Sequence, residues 1–321
     1  MRAMRRRALR AGGSALGAVA ALLLGACASQ AVPPAAGRLD DTPRIAVVSA
    51  FEPELVLLRR QVTQPRRHSV QGVEFTTGTL AGKPVVLFVS GISMVNAAMN
   101  TQRAIDAFNV SHVVFSGIAG GVNPALHIGD VSVPAQWGQY LEVLAARETS
   151  PGNFSPPTRM GELPFPPFGM FFPRPVEVRT AADPRVRKQF WFAVDAGMLA
   201  AARKLQADGG VTLASCDPSG RCLRSQPRLT VGGNGVSGAS FMDNAALRDY
   251  TFATFGANVI DMESAATAQV ATSNGVPFIV FRSLSDLAGG GDGENEMTLF
   301  LSLAAENSAR VLIAFLNGWK P

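Results

Sequence analysis

Cysteine and histidine are scarce: the 321 residues hold three of each. A zinc site draws three or four ligands from such side chains. His68, His112 and His127 all lie far along the chain from the paired Cys216 and Cys222, so no metal is expected. Internal repeats are absent. A dinucleotide fingerprint and a P-loop are absent too: the one Gly-rich segment, Ser116-Gly117-Ile118-Ala119-Gly120-Gly121, has neither spacing. No cofactor is therefore expected.

A true excess of positive charge is also missing. The net charge of +5 comes from 29 basic and 24 acidic residues. Five of the bases, Arg2, Arg5, Arg6, Arg7 and Arg10, crowd the N-terminus ahead of an apolar stretch over 15–26. That pairing has the form of an export signal and is too short for a mature membrane span. Removing residues 1–26, which hold no acid, leaves 24 of each sign. The basic balance is then a targeting feature and gives no reason to expect nucleic-acid binding. The signal ends in Leu24-Gly25-Ala26-Cys27. Small residues before a cysteine resemble a bacterial lipobox, which makes Cys27 the lipidated first residue. The alternative is plain cleavage near Ala26 or Ala28. With Ala28 and Ser29 following, the expected address is the outer membrane, facing the periplasm. Membrane contact is through the lipid anchor alone.

Export bears on the other two cysteines. Cys216-Asp217-Pro218-Ser219-Gly220-Arg221-Cys222 is a turn by its Pro, Ser and Gly content. An oxidising compartment would join the pair as a disulfide; the rival zinc site has no nearby histidine. Residues 27–43, rich in Ala and Pro, form a flexible tether. Residues 44–321 are expected to be one α/β domain with a mostly parallel mixed sheet flanked by helices. Apolar runs of strand length recur at 44–50, 73–79, 84–90, 112–118, 130–134, 228–233, 258–262 and 277–284. Helical patterns lie at 53–63, 94–108, 186–207, 244–255, 264–274 and 296–317. Continuous apolar strands alternating with helices imply a sheet covered on both faces. Residues 148–182, rich in proline and phenylalanine, break this rhythm. They are expected to form an ordered surface excursion, a lid or a subunit contact.

Two strands near the C-terminus end in acids: Val259-Ile260-Asp261-Met262-Glu263 and Phe281-Arg282-Ser283-Leu284-Ser285-Asp286. A third acid, Glu52, follows the strand Ile45-Ala46-Val47-Val48. A carboxylate closing an apolar strand is costly without partners or a task. Open α/β sheets bind ligands at that edge. Three such acids suggest acid/base chemistry on a small polar substrate. The plain alternatives are a helix N-terminal acid for Glu52 and an ion-pair network of Glu263 and Asp286 with Arg282.

The order strand-Glu, Gly-Gly at 120–121, Ile128-Gly129-Asp130-Val131, Ser237-Gly238-Ala239-Ser240-Phe241, Asp261-Met262-Glu263-Ser264-Ala265 and Leu284-Ser285-Asp286 resembles the nucleoside phosphorylase superfamily over about 44–317. Within it the chain is most similar to the 5′-methylthioadenosine/S-adenosylhomocysteine nucleosidases. Residues 216–289 also resemble plant bark and vegetative storage proteins. The resemblance implies hydrolysis of the N-glycosidic bond of a purine nucleoside. It implies Glu52 as the base that activates water, Met262 and Glu263 as ribose contacts, and Asp286 as the acid that protonates the leaving purine, oriented by Ser285. It places Phe241 against the base, Met242 at the base edge, and Ile118, Ala119 and Gly120 around the attacking water. It also implies a homodimer. Ile118 departs from the hydroxyl residue usual there, and Val113 and Val114 replace the arginines of phosphorylases. Hydrolysis is thus expected over phosphorolysis; a non-catalytic nucleoside-binding or storage lipoprotein is the remaining alternative.

Overall fold

The computed structural model describes residues 37–291 and 293–321. The signal peptide, the lipidation site Cys27 and most of the tether lie outside the described residues. The first strand, β1 (Asp40–Ser49), starts four residues ahead of the expected domain boundary at 44, so the last tether residues belong to the sheet.

The chain then runs α1 (Glu52–Gln61), β2 (Thr63–Val70), β3 (Val73–Leu80), β4 (Lys83–Val89), α2 (Met94–Ala107), β5 (Phe108–Gly121), β6 (Val131–Val133) and β7 (Gln136–Gln139). Short strands follow: β8 (Val143–Ala145), β9 (Arg147–Ser150), β10 (Asn153–Ser155), β11 (Phe171–Pro173), β12 (Val176–Thr180), β13 (Asp183–Gln189) and β14 (Trp191–Ala193). The remainder is α3 (Ala196–Ala207), β15 (Leu229–Val231), β16 (Asn234–Ser237), α4 (Ala245–Phe255), β17 (Ala257–Asp261), α5 (Ser264–Asn274), β18 (Phe278–Asp286) and α6 (Met297–Gly318).

The main sheet is mixed, in the order β14-β7-β16-β17-β5-β1-β4-β3-β2, with β18 branching from β5, β6 pairing β18 and β15 pairing β6. Parallel pairing dominates its centre, where β1 lies between β4 and β5 and β18 lies along β5. The β1 run shows why its strands are apolar throughout. Ile45 and Val47 point into one core with Leu55, Leu58, Leu312 and Phe315, while Ala46 and Val48 point into the other with Phe88, Ala104 and Ala268. Successive strand residues face opposite ways, so helices on both faces require an unbroken apolar run. Asn244 caps α4 by accepting from Leu247 N, and Gly275 ends α5 in the left-handed conformation.

One expectation changes: the helix expected over 186–207 begins only at Ala196. Residues 183–189 and 191–193 are strand, and the Asp195 carboxylate accepts from Met198 N to start the helix. The Gly-rich segment 116–121 is the end of β5 itself. The acid-ended strands β17 and β18 are not adjacent, because β5 lies between them. Gly120 of β5 stands opposite Ile260 on one side and Asp286 on the other.

The 148–182 excursion is ordered as strand pairs, β9 with β10, β11 with β8 and β12 with β13. Phe165 anchors it, with ring centroids 4.4 Å from Phe190 and 4.9 Å from Phe255. The cysteine turn closes as Cys216–Cys222, with an S–S distance of 2.01 Å.

Candidate active site

The ends of β1, β5, β17 and β18 converge on one cavity of about 220 Å³. Its polar groups are Glu54, Asp261, Glu263, Ser285 and Asp286. Its apolar walls come from Phe51, Ile92, Ile118, Met242, Met262, Met297 and Leu301. Ala119 and Gly120 form part of the wall, and Phe241 stands at its edge, 53% exposed. No residue of the 148–182 excursion lines it, among the described residues.

Glu52 is the exception among the residues singled out from sequence. Its side chain is 64% exposed, ion-paired to Arg59 at 2.8 Å and outside the cavity. The acid that enters the cavity is Glu54. Two residues on a helix at 3.6 per turn lie on opposite sides of it. With Leu55 and Leu58 buried, the phase of α1 turns Glu54 inward and Glu52 outward. Only 2% of Glu54 is exposed. It accepts from Ala50 N at 2.6 Å and Ile118 N at 2.7 Å. Burial pushes it up to about 7, against the pull of Arg282.

Arg282 is fully buried on β18 among three carboxylates. Its Nε is 2.7 Å from Asp261, its Nη2 3.3 Å from Glu263 and its Nη1 3.7 Å from Glu54. Its guanidinium also donates to Ile118 O at 3.0 Å and lies 4.3 Å over the Phe115 ring. Gly117 makes this cluster possible: a Cβ there would collide with Arg282 Nη1 and Glu54 Oε1. The other Glu263 oxygen accepts from Ser93 N at 2.8 Å, and burial raises the pKa of that carboxyl against the pull of Arg282.

Asp286 belongs to a separate group, and the expected network with Arg282 does not include it. Its Oδ1 accepts from Ala288 N at 2.8 Å and from Asn295 Nδ2 at 3.2 Å; among the described residues its Oδ2 accepts only from the Ser285 hydroxyl, at 2.9 Å. Burial raises its pKa, opposed by these donors. Two donors on Oδ1 leave Oδ2 as the place for a proton, because a hydroxyl can turn to accept where an amide cannot. The site thus gathers a buried Glu54 beside Arg282, a Glu263 lining the cavity, and an Asp286 whose burial raises its pKa.

Sequence reasoning missed Glu54 and Asn295 and gave Asp261 no role. The apolar phase of α1 carried the signal for Glu54. Asn295, in the segment before α6, had no local signal.

The fold has counterparts among known proteins. The chain is 31% identical over 283 residues to a 5′-methylthioadenosine/S-adenosylhomocysteine nucleosidase of Bacillus thuringiensis (strain Al Hakam), spanning 86% of this chain and all of that one. The solved nucleosidase of Colwellia psychrerythraea, in complex with adenine, superposes with a TM-score of 0.63 at 26% identity, over 86% of this chain and 95% of that one. A futalosine hydrolase of Helicobacter pylori shares the fold, with a TM-score of 0.65 at 22% identity over 86% and 98%. The Phosphorylase superfamily model matches residues 44–317, and this chain belongs to that superfamily.

Proposed function

We propose that this chain is a nucleosidase that hydrolyses the N-glycosidic bond of a purine nucleoside of the 5′-methylthioadenosine type. The observation that carries this reading is the gathering of Glu54, Glu263 and Asp286 in one cavity. Water attacks the anomeric carbon as Glu54 takes its proton. The carbon–nitrogen bond breaks, and the proton on Asp286 Oδ2 passes to the leaving purine. Glu263 accepts from the ribose hydroxyls and, as an anion, favours the cationic sugar of the transition state. Phe51, Ile92, Met297 and Leu301 give the remaining cavity wall an apolar character that fits an alkylthio substituent.

Water is the acceptor rather than phosphate. No lysine or arginine lines the cavity, among the described residues, and Arg282 already faces three carboxylates. A phosphate dianion would enter an apolar space beside acids, at a large desolvation cost. Ile118 favours a second reading, a nucleoside-binding or storage protein without turnover, because it removes a hydroxyl from beside the water. The deciding assay measures base release from 5′-methylthioadenosine, adenosine and inosine, with and without phosphate. Release independent of phosphate is expected. Binding without release would establish the second reading instead.

The same proposal includes a homodimer in an exported lipoprotein. Val95 is 74% exposed on α2, with Ile92 and Met99 exposed beside it, and Ile92 also lines the cavity. An apolar patch continuous with a site rim suits a subunit contact. Sedimentation at micromolar concentration should give twice the monomer mass. The Cys216–Cys222 disulfide suits an oxidising compartment. Labelling with a radioactive fatty acid should mark the chain and fail on C27S.

A further inference from the structure

The carboxylate of Asp261, the last residue of β17, accepts four hydrogen bonds and makes one ion pair. Ser237 Oγ, Glu263 N and Ser264 N donate to Oδ1 at 2.5, 3.1 and 3.1 Å. Ser264 Oγ and Arg282 Nε reach Oδ2, the latter at 2.7 Å. Of the three carboxylates around Arg282, this one is closest and most firmly held. Ser237 itself is fixed, because Ala265 N donates to its hydroxyl at 2.8 Å. The Ser264 hydroxyl accepts from both Nε and Nη2 of Arg282, at 3.1 and 3.0 Å. Asp261 and Ser264 together therefore clamp one edge of the guanidinium.

We propose that Asp261 is a positioning residue for the hydrolysis: by clamping Arg282 it prevents the guanidinium from closing on Glu54, and by anchoring Glu263 N and Ser264 N it sets the Glu263 side chain toward the sugar. The proposal rests on Glu54 being the group that activates water. The distances bear it out. Arg282 Nη1 stops 3.7 Å from Glu54 Oε1, beyond hydrogen-bond range, and donates instead to Ile118 O at 3.0 Å, with both side-chain atoms lying over Gly117. A closer pair would be a stronger ion pair and a poorer proton acceptor.

Every charged group facing Glu54 takes part in this balance. Arg282 from β18 favours its anion, while Glu263, after β17, disfavours it. From β1 and β5 come only the backbone donors Ala50 N and Ile118 N, and α6 brings the neutral Ser308 to the same segment at Gly117 N. Burial holds Glu54 near 7 within this set. Neutralising Asp261 would release Arg282 toward Glu54 and Glu263, which stabilises their anions.

The test is the pH profile of kcat/KM for D261N in the full mature chain. The acidic limb, set by Glu54 losing its proton, should move to lower pH by about one unit, the usual effect of a close opposite charge. Turnover should fall, since a weaker base slows chemistry, and KM should rise as Glu263 loses its aim at the sugar. An Asn at 261 places an amide against donors and can impair folding. S264A therefore provides the second reading: it removes one bond on Asp261 and two on Arg282 but leaves the Asp261–Arg282 ion pair, and should shift the limb in the same direction by less. An unmoved limb in both variants would overturn the proposal, and so would a D261N loss of activity uniform across pH. E54Q separates the two levels. Full activity in E54Q would remove the reading on which the proposal rests, whereas an inactive E54Q beside an unmoved limb in D261N defeats the role of Asp261 alone.

Discussion

Glu54 and Glu52, two residues apart on α1, have opposite environments: the first is buried 3.7 Å from Arg282, the second is exposed and paired with Arg59. Their substitution should separate them completely. Glu54→Gln should lower turnover by about 10²–10⁴-fold while nucleoside affinity persists, since only the proton acceptor is lost. Glu52→Gln should leave kcat and KM unchanged and stability within about 0.5 kcal/mol, as for other surface positions. Steady-state kinetics and a melting curve on both variants check this.

Gly117 should tolerate no side chain. Its backbone conformation is ordinary strand; the constraint is space, because a Cβ would strike both Glu54 Oε1 and Arg282 Nη1. Gly117→Ala should cost about 1–3 kcal/mol as an overpacked core substitution. Its activity at a temperature where it is fully folded should still fall, because the Glu54–Arg282 geometry must spread. Gly72→Ala is not the matching control, since Gly72 has a positive φ. Gly293, with nothing near its Cβ position, serves better.

Stability should decline from acid toward neutral pH through Glu54. Its pKa in the folded chain, about 7, exceeds the ordinary glutamate value of 4.5 because burial disfavours the anion. Between those values the folded chain keeps a proton that the unfolded chain has lost. Stability from this group therefore falls with rising pH, by about 1.4 kcal/mol per unit, and levels off above 7. Glu263 and Asp286, also raised, act in the same direction. Denaturant unfolding of wild type and Glu54→Gln between pH 5 and 8 should show a shallower slope in the variant.

The strands that carry the site were legible because they are buried on both faces, which writes them as unbroken apolar runs: Ile45 to Val48, Val113 to Phe115 and Phe278 to Phe281. Glu263, Met262, Asp286, Ser285 and the 118–120 segment reached the cavity for that reason, whereas Phe241 and Met242, which follow β16, came from the family resemblance alone. Glu52 failed because nearness to a strand end was taken as the signal, where helix phase decides which acid turns inward. The strands β7 and β16 were invisible for another reason. Gly138 and Gly235 replace the expected apolar residues so that Phe190 and Trp137 can lie against the sheet. A strand whose neighbours fill it has little pattern of its own. Asn295 could not be foreseen at all, since its link to Asp286 depends on how the chain returns from the end of β18 to the start of α6.

Asp286 gives the sharpest separation of chemistry from architecture. In Asp286→Asn the side-chain oxygen can remain at Oδ1, still accepting from Ala288 N and Asn295 Nδ2, while the new amide donates to Ser285 Oγ in place of Oδ2. The former partners of Asp286 all stay satisfied, the second amide N–H faces the cavity, and Arg282 loses nothing because it never paired with this residue. Folding should therefore be unharmed, and the melting temperature should hold or rise as a desolvated ionisable group disappears. The variant can donate a hydrogen bond to the purine but cannot transfer a proton. Purine release should fall about 10²–10⁴-fold, with substrate binding retained. Nucleosides whose leaving group needs no protonation, such as 4-nitrophenyl riboside, should lose far less. A melting temperature that drops in step with activity would mean that Asp286 holds the fold together instead.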